Sequence, residues 1–67
     1  MIPNDPELAV TQERIAYFER LLAQLRVIAR PHEFPAVAGG YRAVIERMHL
    51  EVLDYLTSHA TEQAVAS

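Results

Sequence analysis

The chain contains no cysteine and no tryptophan. Without thiols no disulfide can staple the fold, and no cluster of cysteine and histidine is spaced to hold a structural zinc. No apolar run approaches the ~20 residues that a membrane span requires. The opening MIPNDPEL places charge where a signal peptide needs an apolar stretch, so a cytoplasmic protein without membrane contact is expected. Glycine is scarce: the only two are the adjacent Gly39 and Gly40, too short a run to cradle a phosphate. No serine stands beside a histidine in a nucleophile motif. Catalytic residues and cofactors are therefore not expected. The net charge of −3 and the alternation of arginine with glutamate leave no basic helix face. Direct nucleic-acid binding is not expected either.

What the chain does contain is helical periodicity. Ile15, Phe18, Leu22, Leu25 and Ala29 step by alternating threes and fours, as do Tyr41, Ile45, Met48, Val52 and Tyr55. That spacing keeps side chains on one face of a helix. Between the two stripes lie Pro31 and Pro35, followed by the glycine pair. The pattern predicts an all-α antiparallel two-helix hairpin. Residues 1–10, with Pro3 and Pro6, read as an irregular arm. Thr11 is the candidate N-cap of helix one, with Glu13 suited to the positive end of the macrodipole. Helix one is expected over about 11–30, stopped by Pro31. A hinge covers about 31–35 and helix two about 36–58, which places Gly39 and Gly40 inside it, with a start near Tyr41 and the glycines in the hinge as the alternative; residues 60–67 read as a frayed tail. A glycine pair within a helix calls for a reason, such as close backbone approach.

At 67 residues a single core is marginal, and this one has no covalent or metal support. The stripes are also broad, because Leu21 and Ile28 flank the first and Val44, Leu53 and Leu56 flank the second. Each helix is then apolar over more than one partner can cover. Association into a homodimeric four-helix bundle is the expected remedy. The candidate interaction residues are Ile15, Phe18, Leu22, Leu25, Tyr41, Ile45, Met48, Val52, Tyr55 and Leu56. The charges agree with antiparallel pairing. Arg14, Arg20, Arg26 and Arg30 outnumber Glu13 and Glu19 on helix one, while Glu46, Glu51 and Asp54 outnumber Arg42 and Arg47 on helix two.

One constellation suits metal chemistry. Glu46-Arg47-Met48-His49 is a Glu-x-x-His step, and Glu19 lies on the other helix. In ferritin-like dinuclear bundles a lone glutamate from each of two helices joins a Glu-x-x-His from each of the other two, and a dimer of this hairpin would supply that set. Against this, Glu46 and His49 fall one position beyond Ile45 and Met48, and Glu19 one beyond Phe18. All three track the edge of the seam rather than its centre. His32 and His59 are isolated.

The runs Ile2-Pro-Asn4, Val10-Thr-Gln12, Phe18-Glu-Arg-Leu-Leu22, Gly40-Tyr-Arg-Ala-Val-Ile-Glu46 and Glu51-Val-Leu-Asp-Tyr-Leu56 together resemble the helical hairpin that precedes the helix-turn-helix in some HigA-like antitoxins and regulators. The resemblance spans roughly residues 1–58 and implies dimerisation or contact with a toxin or regulator protein. No DNA-binding domain follows in this sequence, so DNA recognition is not carried over.

Overall fold

The computed structural model describes residues 1–59. It consists of two helices, α1 (Asp5–Ile28) and α2 (Phe34–Leu56), packed against each other as an antiparallel hairpin. Among the described residues there is no strand, and no helix is long and apolar enough to cross a membrane.

Helix α1 begins at Asp5, not near Thr11. Asn4 is its N-cap, in extended conformation, and its Oδ1 accepts the Glu7 N–H at 2.9 Å. Pro6 lies in the first turn, where its missing N–H would have no partner in any case, and Asp5 and Glu7 place negative charge at the positive end of the dipole. These are strong start signals, and they outweigh the reading of Pro3 and Pro6 as breakers. Thr11 sits inside the helix, where its hydroxyl donates to the Glu7 carbonyl at 3.0 Å. The helix ends at Ile28 rather than Arg30. Ala29 turns to extended backbone, with its N–H still donating to the Leu25 carbonyl at 3.0 Å. The connection tightens on Arg30, whose carbonyl accepts from Glu33 at 3.0 Å and from Phe34 at 2.9 Å.

Helix α2 accordingly starts at Phe34 with Pro35 in its first turn, and ends at Leu56 rather than residue 58. The Thr57 hydroxyl donates to the Leu53 carbonyl at 2.7 Å, and the Ser58 hydroxyl to the Asp54 carbonyl at 2.8 Å. Ser58 thus fills the carbonyl that the next helical N–H would have used, while the Leu53 carbonyl accepts the Thr57 N–H as well. The tail assigned to residues 60–67 lies outside the described residues.

Gly39 and Gly40 lie within α2, yet a Cβ built on either meets nothing within 4 Å. Close approach of α1 is therefore not their purpose. Glycine in a helix interior costs about 0.5–1 kcal/mol relative to alanine. Gly40→Ala is expected to raise stability by about that amount, read as a higher melting temperature by circular dichroism; an unchanged or lower value would show that the open space is used.

The core lies along the seam. Ile2, Ile15, Ile45 and Val52 are buried, with Leu8, Phe18, Leu22, Met48 and Tyr55 packed against them. Residues 1–10 therefore contribute to the core through Ile2 and Leu8, contrary to the irregular arm expected of them. The Tyr55 hydroxyl donates to Asp5 Oδ1, joining the end of α2 to the start of α1. That hydrogen bond, then burial and the nearby carboxylate charge, raise the Tyr55 pKa above its ordinary value.

Candidate functional site

Most of the residues expected to mediate association are consumed in closing the hairpin on itself. Ile15, Ile45 and Val52 form its buried centre, and Phe18, Leu22, Met48 and Tyr55 pack around them. Leu25 and Tyr41 are half-buried, and Leu56, in the last turn of α2, is exposed. No side chain is fully buried among the described residues. The seam is thus the hairpin's interior, and any docking surface must be sought on its sides.

The two sides differ in chemistry. On α1, Val10, Tyr17, Leu21 and Ile28 recur at helical spacing, all turned from the seam in the same rotational sense; on α2, Val37 and Val44 stand one heptad apart, turned in that sense too. In an antiparallel pair, positions displaced in the same sense emerge on the same side. This side is therefore apolar across both helices, with Ile28 75% exposed, Tyr17 53% and Val44 43%. Aromatic rings connect it to the interior. Phe18 meets Tyr17 edge-on at 5.6 Å between ring centroids and Tyr41 at 5.9 Å. These offset geometries suit the ring quadrupoles.

The opposite side is a groove of about 560 Å³ near the turn. Leu22, Ala23, Phe34, Ala38 and Gly39 contribute to its apolar surface, while Glu19, Arg26, Arg42 and Glu46 supply charge. Arg42 Nε donates to Glu46 Oε1 at 2.8 Å, an i,i+4 pair on the surface. This hydrogen bond and the carboxylate charge raise the Arg42 pKa further, holding the guanidinium protonated.

For metal chemistry the outcome is mixed. The structure brings Glu19 and Glu46 to the same groove, and His49 does not line it. Glu46 is engaged with Arg42. Among the described residues no group of three or more histidine, cysteine, aspartate or glutamate side chains is placed to hold a metal ion. His32 approaches Glu33 at 3.8 Å within the turn.

Periodicity pointed to the seam but not to the apolar side. The signal for the side was present: Leu21, Ile28 and Val44 fall beside the stripes. Which flanking residues share a side depends on how the helices are paired and rotated. Comparison with known protein families, characterised proteins and solved structures finds no match for this chain.

Proposed function

We propose that this hairpin is a non-enzymatic association module that docks onto another protein through the side carrying Tyr17, Leu21, Ile28, Val37 and Val44. One observation carries this reading: after the helices have closed on each other, Tyr17 and Ile28 of α1 and Val37 and Val44 of α2 remain exposed, and the Tyr17 ring meets that of Phe18, which packs on the core. Single exposed apolar residues are ordinary, and Val27 and Leu50 are examples here. A contiguous patch shared by two elements is the usual mark of a protein-binding surface. Burying such a side chain stabilises a complex by roughly 1.5–3 kcal/mol. The HigA-like resemblance adds a toxin or regulator as one class of docked protein.

The reading is tested by placing a photoreactive amino acid at Val44, on the apolar side, or at Ala23, in the groove, in living cells that express the full chain. Irradiation is expected to give a discrete protein adduct from position 44 and little from position 23. Absence of an adduct from position 44, or equal labelling from both, would overturn the assignment.

A further inference from the structure

We infer that the molecule covering the apolar side is a second copy of this chain, related by a twofold axis that runs across both helices, so that each helix lies antiparallel on its own counterpart. The inference rests on the docking reading above and adds the occupant and its orientation.

Its basis is the symmetry of the residues on that side. On α1 a stripe in alternating steps of four and three runs Val10, Arg14, Tyr17, Leu21, Gln24 and Ile28, and its character reads alike from either end. Val10 and Ile28, Arg14 and Gln24, and Tyr17 and Leu21 are each centred on position 19. Every apolar residue of the stripe thus has an apolar counterpart, and the one cation has a polar one. A second line runs along α2 and the turn that leads into it, through Arg30, Glu33, Val37, Val44, Arg47 and Glu51. Arg30 and Glu33 belong to it because the Phe34 N–H donates to the Arg30 carbonyl, a helical bond, and Glu33 has helical backbone angles. Arg30 and Glu51, like Val37 and Val44, are centred between Gly40 and Tyr41, and Glu33 and Arg47 are centred on Gly40. Here the counterparts of the apolar pair are apolar, and those of the charged residues carry the opposite charge.

The packing of the hairpin puts the two centres at one level. Phe18 and Tyr41, each within one residue of a centre, meet ring to ring at 5.9 Å. The hydrogen bond from Tyr55 to Asp5 keeps the same register at the open end. A single twofold axis therefore serves both helices.

That axis brings Val10 to Ile28 of the second copy, Tyr17 to Leu21, Arg14 to Gln24 and Val37 to Val44. It also sets Glu33 beside Arg47 of the second copy and Arg30 beside Glu51. Each contact occurs twice, as a closed dimer requires. An axis parallel to the helices would instead lay α1 on α2 at equal level. Val10 would then meet Glu51, and Gln24 would meet Val37, covering apolar side chains with polar ones and stripping water from a charge without pairing it. Within one chain the charged residues have little to lose. Arg30 and Arg47 make no ion pair among the described residues, while Glu33 approaches the exposed His32 at 3.8 Å and Glu51 the exposed α-amino group of Met1 at 3.7 Å. Surface pairs of this kind set orientation more than affinity, which comes from the apolar contacts. The result is a four-helix bundle in which every neighbouring helix is antiparallel.

Sedimentation equilibrium on the full chain tests the occupant. The wild type is expected at twice the chain mass, dissociating on dilution. Arg47→Glu alone, or Glu33→Arg alone, places like charges together twice in the interface and is expected to weaken self-association about tenfold. Both residues are exposed and Glu33 makes no side-chain cap bond, so circular dichroism should show helicity retained. An equimolar mixture of the two variants restores the complement and should form a heterodimer tighter than either homodimer. The chain has no cysteine, so single cysteines report on orientation. An oxidised mixture of Val10→Cys and Ile28→Cys is expected to give the mixed disulfide. Either variant alone should stay unlinked, because in the proposed dimer position 10 lies about 27 Å along the helix from its own counterpart. A wild type that stays at single-chain mass at every concentration would overturn the second-copy assignment, even where position 44 cross-links to a different protein. A dimer that gives no mixed disulfide, or that is indifferent to the charge changes and to mixing, would overturn the orientation, while an adduct from position 44 would still uphold the docking surface.

Discussion

Ile45→Asp is expected to erase the helical circular-dichroism signal of the chain at the concentrations used for the wild type. Ile45 is 8% exposed near the middle of α2, in the cluster with Ile15 and Val52. Removing the isoleucine forfeits about 2–5 kcal/mol of apolar contact and cavity cost. The carboxylate that replaces it would lie among apolar side chains, with no buried polar group among the described residues to receive it. Burying such a charge unpaired costs several kcal/mol more. Four buried apolar side chains among the described residues centre this core, so these losses together exceed what it can absorb. Ile45→Val provides the control, at an expected cost of about 0.5–1.5 kcal/mol. If the aspartate variant kept full helicity and the wild-type melting temperature, the seam would not be the source of the fold.

The second large effect is expected at a residue outside both helices. Ile2 precedes the N-cap and yet is 6% exposed, as enclosed as Ile15. It lies in the cluster that includes Leu8, Val52 and Tyr55, at the end of the hairpin where Tyr55 bonds to Asp5. Ile2→Ala is expected to destabilise by about 2–4 kcal/mol, measured by urea unfolding. The adjacent Met1 is fully exposed, so Met1→Ala should change stability by no more than about 0.5 kcal/mol. Equal effects at the two positions would mean that the N-terminal segment does not pack on the hairpin in solution.

Ile2 also marks a boundary of what could be read in advance. Its burial is non-local: it depends on α2 returning beside α1, and no periodicity within residues 1–4 announces it. The start of α1 at Asn4 is different. Asn4, Pro6 and Glu7 form a start signal at the level of neighbouring residues, and the reading of Thr11 as the cap failed because prolines near the chain start were weighed as breakers rather than as first-turn residues. The glycine pair shows the reverse case. The sequence left helix and hinge both open for it, with Pro35 and the apolar residues around Val37 favouring the helix, and the structure places it inside α2 with no close contact from α1.

The sequence by itself determined two amphipathic helices, their antiparallel return around the Pro31 segment, and which residues line the seam. Helical spacing and turn chemistry are local, and they act wherever the chain goes. Only the tertiary structure decided that the seam is used up within one hairpin, that Ile2 closes its end, and that Tyr17, Leu21, Ile28, Val37 and Val44 emerge together while Glu19, Arg26, Arg42 and Glu46 emerge opposite. Those outcomes depend on how each helix is rotated about its own axis against the other. That rotation is set by the packing of both helices at once, and so is written in neither helix alone.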